Sequence, residues 1–170
     1  STNVKQHLDD SIAITSVANT ADAFAALREN GSVIAWGDQD HGGDSSLVSD
    51  SISKDVIMVK GSAGAFAALK SDGSVVAWGQ RDRGGDNSLV LEMLDGTIKT
   101  TDLFSTSSSF SALREDGSVV CWGYGCGNVT GNNELIDIID VTATDSAYAG
   151  IRQDGSVVTW GIHSGSDSTS

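Results

Sequence analysis

The chain has 170 residues, with 23 Asp and Glu against 10 Lys and Arg, and a formal net charge of −13. So acidic a chain is poorly suited to nucleic acid or to an anionic membrane surface, because both require Lys and Arg against phosphate. No apolar run approaches the roughly 20 residues of a membrane helix, so no membrane insertion is expected, and the length suffices for one domain with a real core.

Ser1 opens the sequence with no initiating Met and no apolar leader, so whatever came before is expected to have been removed, and composition is what suggests an extracellular setting or a larger, processed parent. The first strand is expected at residues 12–17, rich in Ile, Val and Thr. After the small polar turn Asn19-Thr20-Ala21-Asp22 comes FAALRENGSVIAWG, residues 24–37. Its Asn30-Gly31 predicts a two-residue type I′ hairpin. Neither flank of that turn alternates between apolar and polar, so both strands read as buried on two faces. A connector follows, Asp38-Gln39-Asp40-His41-Gly42-Gly43-Asp44-Ser45-Ser46-Leu47-Val48, with a short fourth strand expected at 46–48.

The same order then recurs. A strand at 56–59 and a turn at 61–64 lead to FAALKSDGSVVAWG at 66–79, followed by a second Gly-Gly-Asp connector at 80–90 and a fourth strand at 88–91. A strand at 97–101 and a turn at 105–109 lead to FSALREDGSVVCWG at 110–123. A strand at 136–142 and a turn at 144–146 lead to YAGIRQDGSVVTWG at 148–161. Asp72-Gly73, Asp116-Gly117 and Asp154-Gly155 stand where Asn30-Gly31 stands in the first copy. The third connector, 124–133, has lost the Gly-Gly-Asp pattern.

All four Trp of the protein end this unit, at spacings of 42, 44 and 38 residues. Periods of about 40 residues signal propellers or solenoids. The expected fold is all-β: a propeller-like array of four blades of about 42 residues, as a closed ring or as part of a larger one. An open β-solenoid is the alternative, and four repeats disfavour a trefoil. The units run approximately over 4–47, 48–89, 90–134 and 135–170 of a single repeat domain, 1–170. Ser1 to Leu8 resembles the second half of the connector that Ile162 to Ser170 begins, as when a first segment completes the last blade.

Cys121 and Cys126 are the only cysteines and cannot form a structural zinc site alone. Two free thiols are expected, with a short-loop disulfide as the alternative. Asn128-Val129-Thr130 fits the glycosylation acceptor pattern, and so does Asn30-Gly31-Ser32, there read as a hairpin turn.

The recurring Ala-Leu-x-x-Asp-Gly-Ser-Val-Val-x-Trp-Gly resembles the repeat of the regulator of chromosome condensation family, in a short acidic variety with FAAL and Gly-Gly-Asp-Ser-Ser. The likeness covers nearly the whole chain and implies a propeller. It departs from the family in having four units rather than seven, and Gly-Gly-Asp in place of the Gly-Gln-Leu-Gly usual after Trp-Gly. By family analogy alone it would also imply regulation of a small GTPase, although no residues matching that activity are present.

Chemistry is sparse. The connectors offer candidate binding residues: Asp40, His41 and Asp44 in the first, Asp82, Arg83 and Asp86 in the second. Asp40, Asp44, Asp82 and Asp86 are also weak Ca²⁺ candidates, but no full calcium loop is present and Asp and Gly are ordinary turn formers. The four Trp and their partners Phe24, Phe66, Phe110 and Tyr148 read as core rather than as stacking platforms. His7, His41 and His163 are scattered, and no nucleophile elbow or phosphate loop is present. The expectation is a non-catalytic protein-binding or scaffold module, without cofactor, that binds a protein partner and is able to self-associate. A carbohydrate-binding propeller is the alternative.

Overall fold

The computed structural model describes residues 12–126 and 135–161. These form four antiparallel sheets of three strands each, in simple meander order. Blade one comprises β1 (Ile14–Asn19), β2 (Ala23–Arg28) and β3 (Val33–Gly37). Blade two comprises β4 (Val56–Gly61), β5 (Ala65–Lys70) and β6 (Val75–Gly79). Blade three comprises β7 (Thr100–Ser105), β8 (Ser109–Arg114) and β9 (Val119–Gly123), and blade four β10 (Ile138–Ala143), β11 (Ala147–Arg152) and β12 (Val157–Gly161).

Period-2 geometry sorts each middle strand into two faces. On β5, Phe66 and Ala68 face the preceding blade, while Ala65, Ala67 and Leu69 face the following one. All five are at most 1% exposed, so the FAAL segment is buried on both faces as its composition predicts. Alanine on the second face lets neighbouring sheets approach closely. The aromatic at the start of FAAL stands directly opposite the Trp of the outer strand, and each such pair stacks: 5.6 Å for Phe24–Trp36, 5.3 Å for Phe66–Trp78, and 5.4 Å for both Phe110–Trp122 and Tyr148–Trp160.

The blades fan out from their first strands, which lie side by side along the array. Two sets of backbone hydrogen bonds join them. At one end, the turns between first and second strands form a relay: Ala21 N–H donates to the Ala63 carbonyl (3.0 Å), Ala63 N–H to Ser107 (3.0 Å) and Ser107 N–H to Asp145 (2.9 Å). At the other end, the hairpin glycine carbonyls of Gly31, Gly73 and Gly117 accept from Val56, Thr100 and Ile138 N–H, the first residues of the next inner strands.

The structure corrects several expectations. No fourth strand forms at 46–48 or 88–91: Ser46–Val48 and Ser88–Met93 are 3-10 turns. The Asp44 and Asp86 carboxylates each accept the backbone N–H two residues on, from Ser46 and Ser88 at 2.9 Å, and this Asx geometry starts a helical turn instead of an extended segment. The outer strands meet the connectors through single bonds instead, from Val33, Val75 and Val119 N–H to the carbonyls of Ile52, Leu94 and Leu135. The Asn/Asp-Gly turns are three-residue loops rather than type I′ hairpins. Only the glycine has positive φ (88° at Gly73), Gly73 N–H bonds Lys70, and Lys70 N–H bonds Ser74 across the loop. The Asp72 side chain is thereby free to accept from Ser74 N–H at 2.9 Å. The third inner strand starts at Thr100 rather than at 97, because Asp95 caps Thr97 in a turn.

Cys121 and Cys126 are bonded to each other, not free. The bridge ties the start of the third connector to β9, and both sulfurs lie in the cluster between blades three and four. A loop this short is expected to gain about 2 kcal/mol from the cross-link. Thermal unfolding with and without reductant checks this: the reduced chain melts lower, and a Cys126→Ser chain melts at the reduced value in either buffer. Asn128, His7, His163 and the two complementary terminal segments lie outside the described residues.

Candidate binding surface

The first two connectors are held against the blades at matching points. The buried hydroxyls of Thr20 and Ser62, which also accept from Ala23 and Ala65 N–H, donate to the carbonyls of His41 (3.1 Å) and Arg83 (2.8 Å). The indole N–H groups of Trp78 and Trp122 donate to the carbonyls of Gly42 and Gly84, both at 3.0 Å. Each connector is therefore fixed on its own blade and on the next one.

Two equivalent grooves result. One, of about 560 Å³, is lined by Asp40, Asp44, Leu47 and the edge of Trp78. The other, of about 530 Å³, is lined by Asp82, Asp86, Leu89 and Tyr124. The aspartates and leucines stand at the same repeat positions. Leu47 is 100% exposed and Leu89 95%, an unusual place for two large aliphatic side chains at repeated sites.

Hydrogen bonds from Ser46 N–H and the Ser46 side chain hold the Asp44 carboxyl below its ordinary value. For Asp86 the Ser88 side chain and N–H do the same, helped by the Arg81 guanidinium at 3.0 Å. Both carboxylates are charged at neutral pH, and the second groove is partly neutralised by Arg81 where the first is not.

The structure thus brings Asp40 together with Asp44, and Asp82 with Asp86, but places His41 and Arg83 outside both groove linings. His41 instead meets Asp38, Nδ1 to Oδ1 2.7 Å, with Asp22 at 3.9 Å. The Asp38 hydrogen bond raises the His41 pKa above 6.5, and the same contact lowers that of Asp38. The stabilisation is full below about pH 6.5 and is lost as pH rises through the raised value. A proton NMR titration is expected to show His41 above 6.5, and Asp38→Asn to bring it back. Among the described residues no group of three or more His, Cys, Asp or Glu comes together as a metal site.

Trp78, Trp122 and Trp160 are at most 4% exposed, which removes them as stacking platforms. Blade four shows a compensation that the repeat pattern alone does not announce. The Trp160 indole donates to Ser111 Oγ at 3.0 Å, and Tyr148 Oη lies 3.1 Å from Ser109 Oγ. The signal was the replacement of Ala65-Phe66-Ala67-Ala68 by Ser109-Phe110-Ser111-Ala112, in a repeat whose connector has lost the Gly-Gly-Asp pattern.

Solved structures share this arrangement. The ectodomain of the Physcomitrella patens receptor kinase CR4 matches with a TM-score of 0.64 and 15% identity, over 92% of this chain and 43% of its own. The fold is a β-propeller array. The ectodomain of the Arabidopsis thaliana receptor kinase ACR4 matches with a TM-score of 0.58 and 17% identity, over 92% and 52%. Prp20p from Saccharomyces cerevisiae, described with its binding to Gsp1p and histones, matches with a TM-score of 0.63 and 18% identity, over 90% and 46%. The chain thus spans about half the length of these proteins or less. No family model and no curated protein matches the sequence. No helix among the described residues is long and apolar enough to cross a membrane.

Proposed function

We propose that the chain is a non-catalytic protein-binding propeller module whose binding elements are the two connector grooves. The observation that carries this reading is their repetition: a fully exposed leucine beside two aspartates, twice, at equal places on successive blades. An apolar anchor within an acidic rim favours a partner segment with aliphatic or aromatic side chains flanked by Lys or Arg. Two such grooves favour two-point engagement of one partner. We further infer that the repeat belongs with the regulator of chromosome condensation family, on its motif and on the fold shared with yeast RCC1 (Prp20).

A random-peptide library selected on the immobilised chain tests the function. Basic, apolar consensus peptides are expected, weakened at high salt and lost in the Leu47→Asp/Leu89→Asp double variant with its fold unchanged by circular dichroism. Peptides that bind the double variant equally well would overturn the groove reading, and a glycan array with specific hits would favour the lectin alternative.

A further inference from the structure

The two ends of the array carry the two kinds of face that meet at each blade junction. Each blade presents a leading face, built from its inner strand and the aromatic stack, to the blade before it. In blade two this face is Val56, Val59, Phe66 and Trp78, exposed by 3%, 9%, 0% and 4%. In blade four, Ile138, Val141, Tyr148 and Trp160 are equally buried. The register places Ile14, Val17, Phe24 and Trp36 at these positions in blade one. There Ile14 is 39% exposed, Val17 57% and Phe24 47%.

The trailing face shows the reverse. Leu69 and Val75 of blade two are 1% and 2% exposed against blade three, whereas their counterparts Ile151 and Val157 of blade four are 42% and 51% exposed. The hairpin glycines of blades one to three have the next inner strand, or the residue that leads into it, within 3.3 Å of where a Cβ would be, but Gly155 has no described residue within 4 Å. The backbone relay carries the same polarity, with the Ala21 carbonyl at one terminus and Asp145 N–H at the other.

We propose that the leading face of blade one docks on the trailing face of blade four in a second copy, and the reverse, so that two copies close one eight-blade ring. The occupant is set by complementarity: among the described residues the same apolar face is buried at three blade junctions, and its two halves stand exposed, one at each end. Eight blades lie within the usual range of four to eight, and the head-to-tail contact closes by a two-fold axis. Because each copy carries −13, screening by salt is expected to strengthen the association.

Sedimentation and native mass spectrometry of the 170-residue chain test the proposal, which rests on the fold and not on the groove function. The expected species has twice the 17.5 kDa protomer mass. Phe24→Asp, or Val17→Asp should the first misfold, and Val157→Asp are each expected to give folded monomers. Mixing the Phe24→Asp and Val157→Asp chains then restores a one-to-one pair, because each variant keeps the face that the other has lost. A monomeric unaltered chain would overturn the proposal, as would a dimer that survives both substitutions or a mixture that stays monomeric. A ladder of larger species abolished by Phe24→Asp would keep the docking and overturn the ring.

Discussion

Trp122→Ala is expected to destabilise the protein by about 3–5 kcal/mol, a large share of the roughly 5–15 kcal/mol that holds a domain together. Trp122 is 4% exposed, stacks on Phe110, and packs in the cluster that blades two and three share. Truncation leaves a void between sheets and also strips the buried Gly84 carbonyl of its indole donor. Trp122→Phe separates the two effects: much of the ring volume stays, but the carbonyl is unsatisfied, for about 1–3 kcal/mol. Denaturant unfolding in dilute protein checks the order Trp122→Ala, then Trp122→Phe, with Trp36→Ala mildest because its leading face is open. Equal losses at Trp36 and Trp122 would contradict the open first blade.

Gly79→Ala is expected to cost more than about 4 kcal/mol, among the largest effects of a single methyl. Its φ is +104°, and an added Cβ would stand 2.7 Å from the Gly64 carbonyl oxygen and 2.9 Å from Ala65 Cα. These are backbone atoms of the blade's own middle strand and turn, which cannot move aside without breaking the Phe66–Trp78 register. Gly155→Ala supplies the control, since its φ is +84° but the space around it is open. It isolates the conformational strain, roughly 1–3 kcal/mol. Thermal unfolding of the two variants side by side checks the difference; similar losses would show that crowding at Gly79 relaxes.

The repeat was readable because each of its parts has a local cause. Four Trp at regular spacing gave the blades, and FAAL without alternation gave strands buried on both faces. What sequence did not show depended on competition between local and distant partners. Ser45-Ser46-Leu47-Val48 has the composition of a strand, yet the Asp44 carboxylate captures Ser46 N–H before any sheet edge can. Asp-Gly suits two turn types, and the choice fell to the bond from Gly73 N–H to Lys70. The bond between Cys121 and Cys126 depends on how the third connector leaves β9, which no spacing rule states. Of the connector residues, the aspartates were in view from the Gly-Gly-Asp pattern. Leu47 and Leu89 were not, because an exposed aliphatic and a buried one look alike in a string of letters.

The relay through Ala21, Ala63, Ser107 and Asp145 is directional: every turn gives a proton donor one way and an acceptor the other. Such a motif contains no counting device. A fifth unit would meet the fourth with the same atoms by which the fourth meets the third. The blade number is therefore a property of curvature and of what meets the last free edge, not of the repeat itself. Duplication or loss of a whole unit of about 40 residues leaves every local contact rule intact. The connectors, of which the third departs from the Gly-Gly-Asp pattern of the first two, are where a given number of blades can be made to matter.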